Sequence, residues 1–308
     1  MSRRGFTRFS WGVLAYSLLV ILWGYFLRIS ESGDGCGTDW PLCRAAVTPD
    51  RPEFSTLVEL THRLSSGLVL VAALAMVIWA FRAYPRGSAV RFGAMAALVF
   101  TLSESLFGAI LVVFGWVAGD VSTGRILIRP VHVTNTFFLI AALALTPYWA
   151  SRGTARRPAL SGPAARLPIG AVIGALALAW TGAWTGLATT AFSAGSVREG
   201  IAQYMDPEHL LVSLRLLHPI LAVAVVAVLL RTASALRSRF SDPWIRPLAA
   251  AVAVFAVAQL IVGPATIALG NPVWARLLHL ALADALWIAL ILAGATALDE
   301  KATSSVPR

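Results

Sequence analysis

The sequence contains little charge and little cysteine. Only 13% of its 308 residues are charged, whereas 58% are apolar, and the mean hydropathy is +0.75. A soluble domain of this length needs a large charged surface, so the composition excludes the soluble classes of protein. The apolar residues also form long uncharged runs, such as 11–27 and 168–196. Each run is long enough to cross a bilayer core of about 30 Å as a helix.

The hydropathy pattern predicts an all-α polytopic membrane protein with eight transmembrane helices. We expect the spans at about 10–28, 58–81, 92–117, 129–149, 168–191, 211–231, 247–269 and 276–297. The first span has a longer apolar core than a secretory signal peptide, and no small-x-small cleavage site follows it. We therefore expect it to remain in the protein as a helix.

The net charge of +10 is concentrated on one side of the predicted bilayer. Sixteen of the 25 basic residues fall in the termini or in the even-numbered connections between spans, namely Arg3, Arg4, Arg8, Arg82, Arg86, Arg91, Arg152, Arg156, Arg157, Arg166, Arg231, Arg237, Arg239, Arg246, Lys301 and Arg308. The positive-inside rule makes this the cytoplasmic side of a cell inner membrane, with both termini in the cytoplasm. The charge thus follows from topology, and no nucleic-acid partner is expected.

The only two cysteines, Cys36 and Cys43, both lie in the first outer loop. We interpret them as a disulfide, because no further Cys or His stands nearby to complete the four ligands of a metal site. Two free thiols are the alternative, which an oxidising compartment disfavours.

A basic connection that contains Pro and Gly, residues 151–166, divides the chain into an N-terminal half, 1–150, and a C-terminal half, 167–308. Polar residues recur in the same order in the two halves: Glu59-x-x-His62 and Arg215-x-x-His218, Glu104 with Gly108 and Gln259 with Gly263, Arg129-x-x-His132 and Arg276-x-x-His279. The pattern predicts two pseudo-symmetric four-helix bundles of the same orientation, related by an axis along the membrane normal.

Four of the five histidines, His62, His132, His218 and His279, stand near the outer ends of the second, fourth, sixth and eighth spans. A single histidine there could be an interfacial hydrogen-bonding residue. Four at matching depth instead suggest ligands inside the bundles, because ionisable groups within spans usually serve function. Two imidazoles suit the iron of one haem, whereas zinc or copper usually needs a third protein ligand. We therefore expect haem between His62 and His132 and between His218 and His279.

Arg129, Arg215 and Arg276 each precede a histidine by three residues, so each lies on the same helix face as that histidine. They are candidates for binding haem propionates, together with Arg63, and the alternative is that they reach lipid headgroups.

Four further polar residues lie in or near the spans. Glu59 is also on the ligand face and could accept protons, or could simply favour the helix N-terminus. Glu104 and Asp284 lie deeper, and for Asp284 we expect a packing or hydrogen-bonding role. His209 is expected to be interfacial and not a ligand.

The loop from Arg28 through Cys36-Gly-x-x-Trp40-Pro41-x-Cys43, followed by Glu59-x-x-His62-Arg63, resembles the haem A synthases of bacteria and mitochondria. The resemblance covers essentially the whole chain, including His132, His218 and His279. It implies an enzyme of cytochrome oxidase assembly that oxidises a methyl group of haem O to an alcohol and then to the formyl group of haem A, with water supplying the oxygen.

The resemblance also implies roles for individual residues. Resident haem b would lie between His218 and His279, and substrate haem O near His62 and His132. Glu59 would assist the oxidation, and the cysteine pair would form a disulfide. The partners would be the haem O synthase that supplies the substrate, an electron acceptor and the lipid bilayer, and a homo-oligomer is allowed.

Three residues depart from the family pattern. Glu31 stands where the family usually has a small residue, often Gly. Pro219 follows the third histidine, where Arg is frequent, and Glu104 takes a place commonly held by Gln. None of these departures removes a ligand.

Two other classes of protein share some of these features. A dihaem b-type cytochrome would carry electrons without modifying haem, but such proteins usually place their haems near opposite faces of the membrane. A transporter or haem-delivery protein would place its polar groups near the midplane. Here the polar groups lie near the outer face, so both alternatives are less favoured.

Overall fold

The computed structural model describes residues 2–43, 53–153 and 163–304, and the regular secondary structure of these residues is entirely helical. The helices are α1 (Arg3–Ile29), α2 (Phe54–Ala83), α3 (Ala89–Val113), α4 (Thr123–Arg152), α5 (Pro163–Ala191), α6 (Val197–Met205), α7 (Leu210–Leu214), α8 (Leu217–Arg239), α9 (Ile245–Ala268) and α10 (Val273–Ser304). Within these ranges eight helices are long and apolar enough to cross a membrane, with α7 and α8 counted as one span, Leu210–Arg239. The predicted fold class is confirmed.

The helix ends differ from the predicted ones where local turns decide them. The predicted third span extends to 117, but α3 ends at Val113 because Gly115, with φ +66°, turns the chain. The predicted fourth span starts at 129, but α4 starts at Thr123, where Ser122 Oγ accepts the amide of Arg125. The short helix α6, which begins after the similarly capping Ser196, is absent from the prediction.

Counted from the observed starts of the spans, the histidines lie in the second or third turn. His62 is the ninth residue of α2, His132 the tenth of α4 and His279 the seventh of α10. His218 is the ninth residue of its span, counted from Leu210. At a rise of about 1.5 Å per residue, all four imidazoles lie roughly 10–15 Å from the ends of their helices.

Each half of the chain forms a ring of four helices. In the first half α2 and α4 each contact α1 and α3, so α2 and α4 stand diagonally across the ring. In the second half α8 and α10 each contact α5 and α9, and these two are the diagonal pair. The four histidines lie on these diagonal helices. The halves meet where α10 contacts α1 and α4 and where α5 contacts α4. The predicted symmetry axis between the halves stays a prediction.

A smaller cluster of Leu187, Ala188 and Leu211 packs at the opposite end, but the two larger packed apolar cores lie toward one end of each ring. We call this the terminal end, because α1 begins and α10 ends there, and we call the opposite end, which carries the loop with the two cysteines, the disulfide end. The first core includes Phe6, Met76, Ala80, Tyr84, Val90, Leu143 and Trp149. The second includes Ala171, Leu229, Leu236, Ile245, Ala249 and Leu290. Many large side chains on the outer faces of the helices are exposed, as the contact with lipid acyl chains requires.

Polar contacts join the halves and their connections at the terminal end. The hydroxyl of Tyr148 donates to Thr296 Oγ1 at 3.0 Å, and Arg152 forms an ion pair with Asp242. Nearer the middle of the helices, Trp287 Nε1 donates to the carbonyl of Phe137 at 2.7 Å. Parts of the predicted 151–166 connection, with Arg156 and Arg157, and also Arg308 lie outside the described residues.

Candidate functional site

The C-terminal ring holds two imidazoles that face each other across it. The ring centroids of His218 and His279 are 6.4 Å apart, and the ring planes are inclined by 78°. Nδ1 of His218 lies 3.2 Å from the carbonyl oxygen of Leu178 and 3.3 Å from Thr181 Oγ1. When Nδ1 donates to Leu178, Nε2 keeps its lone pair for a ligand. Nδ1 of His279 is buried and has no hydrogen-bond partner among the described residues.

This separation suits an iron atom between the two rings. Each metal–nitrogen bond is about 2 Å long and each ring adds about 1 Å, so two axial imidazoles hold their centroids roughly 6 Å apart. In the described ranges no three His, Cys, Asp or Glu side chains converge as a metal site would require. A pair of imidazoles without a third ligand fits porphyrin-bound iron, which needs only axial ligands from the protein.

The N-terminal ring brings His62 and His132 together with an acid. His62 interacts electrostatically with both His132 and Glu104. Nε2 of His132 lies 2.5 Å from Glu104 Oε2, and Nδ1 of His62 is buried without a hydrogen-bond partner in the part of the chain that the structure describes. Glu104 is held from the other side by Asn135, whose Nδ2 donates to Oε1 at 2.9 Å. The sequence identifies Glu104 as a departure from the family but does not predict this contact.

Glycines seat three of the four imidazoles against a neighbouring helix. A Cβ at Gly24 of α1 would lie 2.6 Å from Cε1 of His62, and one at Gly182 of α5 would lie 3.0 Å from Cε1 of His218. At Gly263 of α9 the corresponding distance to His279 is 3.4 Å. The sequence does not predict these glycines as site residues, except that Gly263 is part of the repeat.

Both carboxylate oxygens of Glu59 are bound to neighbouring groups at the disulfide end. Oε2 accepts the amide of Cys36 at 2.8 Å, and Oε1 forms an ion pair with Arg63. Arg63 in turn donates to the carbonyls of Asp39 and Leu42, at 2.6 Å and 2.9 Å. The two predicted site residues therefore fasten the loop onto α2, and the catalytic role of Glu59 stays a prediction.

Cys36 and Cys43 are joined as a disulfide in the structure, with their Cα atoms 4.9 Å apart. Thr56 Oγ1 donates to the carbonyl of Gly35 at 2.7 Å, which adds a further contact between this loop and the start of α2.

The remaining arginine candidates differ in their contacts. Arg215 caps the C-terminal end of α5, because Nη2 donates to the carbonyls of Ala188 and Phe192 at 2.5 Å and 2.6 Å. Arg276 reaches the same helix through one bond, from Nη2 to Thr190 Oγ1 at 3.0 Å. Arg129 is buried and interacts electrostatically with several other arginines.

Asp284 and His209 lie outside the candidate set. Asp284 is buried, and its Oδ2 has no hydrogen-bond partner within the described residues, so the expected hydrogen bond is not seen for this oxygen. His209 caps α7 through Nδ1, which accepts the amide of Leu211, and its ring stacks on Phe192. It takes a capping role at the disulfide end, apart from the two imidazole pairs.

Comparison with known proteins gives matches along the chain. The family model COX15-CtaA, described as "Cytochrome oxidase assembly protein", matches residues 7–291. A Thermus thermophilus protein named protoheme IX farnesyltransferase is 42% identical over 295 residues, which are 96% of this chain and 48% of that protein. A protein of Exiguobacterium sp. named heme A synthase is 39% identical over 101 residues, 33% of this chain and 34% of its own length.

A further relative named heme A synthase, from Geobacillus kaustophilus, is 39% identical over 98 residues, 32% of this chain and 31% of its own length. The chain therefore spans about half the length of the Thermus relative and about a third of the heme A synthases that it matches.

Proposed function

This chain belongs to the COX15-CtaA family of cytochrome oxidase assembly proteins, and we propose that it is a haem A synthase, which oxidises a methyl group of haem O to the formyl group of haem A through a hydroxymethyl intermediate. The family and the relatives named heme A synthase support a role in haem A biosynthesis for oxidase assembly. The observation that carries the finer proposal is the pair of facing imidazoles, His218 and His279, 6.4 Å apart.

The C-terminal pair is proposed to hold resident haem b. Its two imidazoles are already at the separation that axial ligation requires, and Leu178 fixes the tautomer of His218. Iron can thus bind without the displacement of a charged neighbour from either ring. Tight and lasting binding is what a resident cofactor needs.

The N-terminal pair is proposed to bind substrate haem O. Glu104 occupies Nε2 of His132, so binding of the iron at this nitrogen must displace the carboxylate. This competition weakens binding at the N-terminal pair relative to the C-terminal pair. A substrate that enters as haem O and leaves as haem A has to dissociate, and the weaker site suits that exchange.

When bound, the two haems supply the redox chemistry and the ring methyl that is oxidised. Conversion of a methyl to a formyl group with one water removes four electrons and four protons, which pass to an electron acceptor and to bases. Glu59 is proposed to assist as a proton acceptor near His62. Arg63 balances its charge, and the pair fastens the loop onto α2 at this part of the N-terminal ring.

The proposed setting is the cell inner membrane, with both termini in the cytoplasm and both imidazole pairs toward the outer face. The proposed partners are an electron acceptor and the haem O synthase that supplies the substrate. The Thermus relative supports the second partner, because its name states that it farnesylates protohaem, which is the chemistry that produces haem O.

The name of that relative also raises farnesyl transfer as a second candidate function. A prenyl diphosphate is usually bound through magnesium by clustered acidic residues. In this sequence the acidic residues stand close together only as pairs, such as Asp206 with Glu208, and no three stand within eight consecutive positions. Paired histidines on apolar helices instead favour haem ligation, so we prefer haem oxidation for this chain.

Co-expression with a haem O supply, followed by pigment extraction and mass analysis, tests the proposal. We expect the formyl haem from the wild-type chain. His62→Ala should abolish it while leaving the resident haem, and His279→Ala should remove the resident haem. His209→Ala is the matched control, because this capping histidine should leave both pigments unchanged.

Three outcomes would contradict the proposal in different ways. Two tightly bound haem b groups with no formyl product would indicate a dihaem cytochrome. Farnesylated haem made from protohaem by this chain alone would indicate a prenyltransferase. Loss of the resident haem in His62→Ala, with its retention in His279→Ala, would mean that the two halves are assigned in reverse.

A further inference from the structure

Arginines from three helices converge on the part of α5 nearest the disulfide end. The guanidinium of Arg28, from α1, lies against the backbone at Gly186, where a Cβ would overlap its Nη2. One turn further along α5, Arg276 from α10 donates to Thr190 Oγ1 at 3.0 Å. Helices from both halves of the chain therefore place a guanidinium group against the same few residues of α5.

Arg129 comes to this junction from α4. Trp184 Nε1 of α5 donates to the carbonyl of Ile126 at 3.0 Å, which fixes the turn of α4 just before Arg129 against α5. Arg129 interacts electrostatically with both Arg28 and Arg276. The three guanidinium groups therefore form one cluster at the contact between the two rings.

No carboxylate in the part of the chain that the structure describes is among the groups that act on Arg28 and Arg129, and the Tyr25 ring, 5.0 Å from Cζ of Arg28, is the group that favours their charge. Nε and Nη2 of Arg28 are inaccessible to solvent and have no hydrogen-bond partner among the described residues. Thr185 Oγ1, beside Gly186, is also buried and has no such partner among them. The charged side chains that act on Arg28 are themselves arginines, Arg276 and Arg125. Buried cations of this kind are costly unless an anion joins them.

We propose that Arg28, Arg129 and Arg276 form one carboxylate-binding site shared by the two rings, which takes a propionate from the porphyrin of each. Arg129 and Arg276 each stand three residues before an axial-ligand candidate, His132 and His279, and so lie one turn nearer the disulfide end on the same face. Arg28 belongs to neither histidine helix. It lies on α1, which contacts both α4 and α10. Its guanidinium group is therefore the cation that both porphyrins use.

This inference rests on the proposed haem sites, and it adds Arg28 to the candidates for propionate binding. A guanidinium fork binds a carboxylate with two parallel hydrogen bonds, which accounts for the free Nε and Nη2 of Arg28. A lipid phosphate is the other anion that a membrane offers. The burial of these two nitrogens between α1 and α5 favours a ligand already inside the rings.

The test compares the binding of haem with that of its dimethyl ester, whose propionates carry no charge. Full-length protein from haem-deficient cells is titrated spectroscopically in two backgrounds, His279→Ala, which leaves the N-terminal pair, and His62→Ala, which leaves the C-terminal pair. We expect each to bind haem more tightly than the ester. Arg28→Gln should reduce that preference about tenfold or more in both backgrounds.

Two further variants separate the site from the fold. Arg28→Lys keeps the charge without the fork and should recover only part of the preference. Arg91, at the terminal end, donates to the carbonyl of Phe81, and Arg91→Gln should leave the preference unchanged. Because the ratio of two ligands is measured on one protein, a general loss of stability does not imitate the expected result.

An unchanged preference in Arg28→Gln would overturn the inference, and a loss in only one background would overturn the sharing. The inference would also be overturned if Arg28→Gln kept the preference for haem over its ester but no longer retained phosphatidylglycerol from mixed vesicles. The bound anion would then be a lipid. A preserved Arg28 effect without formyl haem would overturn only the proposed function. Failure of the wild-type chain to bind either porphyrin would overturn both.

Discussion

At the scale of single residues, the positions of the imidazoles depend on glycines in the neighbouring helices. His62 and His218 lie against the backbone of α1 and α5 at Gly24 and Gly182. His132 is instead held by Glu104. The same residue type thus has a rigid apolar seat at two positions and a charged partner at a third, and these surroundings decide how readily each ring can accept iron.

Gly24→Ala should displace the imidazole of His62, because the new Cβ would lie 2.6 Å from Cε1. We expect haem binding at the N-terminal pair to weaken about tenfold or more, as measured by spectroscopic titration in the His279→Ala background. Gly12→Ala, on the same helix, is the matched control, since a Cβ there meets no described atom within 4 Å. Equal effects of the two alanines would show that the glycine seat is unimportant.

Glu104→Gln should retain haem longer at the N-terminal pair. The amide removes the charged competitor for Nε2 of His132 but can still accept the hydrogen bond from Asn135. We expect haem to dissociate several-fold more slowly in transfer experiments to apomyoglobin. Glu199→Gln, in the exposed helix α6, serves as the control. Faster dissociation from Glu104→Gln would mean that the carboxylate stabilises the bound state.

Glu31→Gly should stabilise the protein, because Glu31 has φ +54°, a conformation that favours glycine. Relief of this backbone strain is expected to add about 0.5–1 kcal/mol, partly offset by the lost attraction between Glu31 and Arg125. Thermal unfolding in detergent measures the change. Glu31→Ala loses the same attraction and keeps the strained backbone, so it should be less stable than Glu31→Gly.

At the scale of helices, the sequence predicts the eight spans because long apolar runs in a chain of this composition fit little besides membrane helices. It does not predict the end of α3 or the beginning of α4, where Gly115 and Ser122 outweigh the hydropathy of their surroundings. The amphipathic helix α6 is also not predicted, because its nine residues are too few and too polar to form an apolar run of membrane-spanning length. Hydropathy locates a membrane helix, whereas its ends follow from hydrogen bonds of the backbone.

Arg215→Ala should destabilise the end of α5 and leave the recognition of propionates unchanged. Its guanidinium donates hydrogen bonds to the carbonyls of Ala188 and Phe192. These carbonyls lie at the end of the helix, where no backbone amide of a following turn is available to them. We expect a loss of about 2–3 kcal/mol in the free energy of unfolding, measured by thermal or denaturant melting. Arg198→Ala, on exposed α6, should cost little. A reduced preference for haem over its dimethyl ester in Arg215→Ala would support Arg215 as a propionate-binding residue.

At the scale of the whole molecule, the four predicted ligands are identifiable from the sequence because histidine is conspicuous in apolar helices. Their partners are not. Gly182 and Arg28 belong to the site through contacts of α5 with α8 and of α1 with α5, which join residues far apart in the sequence. In the sequence Arg28 begins the loop that resembles the family, but the pattern does not assign it to the site. Only the arrangement of the rings shows that its guanidinium points into the protein.

Hydrogen exchange should reveal the two ends of each ring. In α2 the residues of the packed core, such as Met76 and Ala80, lie at the terminal end, and His62 lies in the other half of the helix. In the haem-free protein we expect amides of 54–66 to exchange at least about tenfold faster than those of 69–83, because local opening costs less where fewer side chains are packed. Added haem should slow the first set. Uniform exchange along α2 would contradict this division.

The position of the two larger apolar cores, toward the terminal end, has a consequence for the proposed exchange of porphyrin. In the proposed function, a porphyrin would leave and a fresh one would enter in the part of each ring that these two cores do not fill, while the packed side chains of the cores stay in place. Turnover would then require no unfolding of the helix bundle, and the interior side chains of the two cores would stay shielded from the lipid while one porphyrin replaced another.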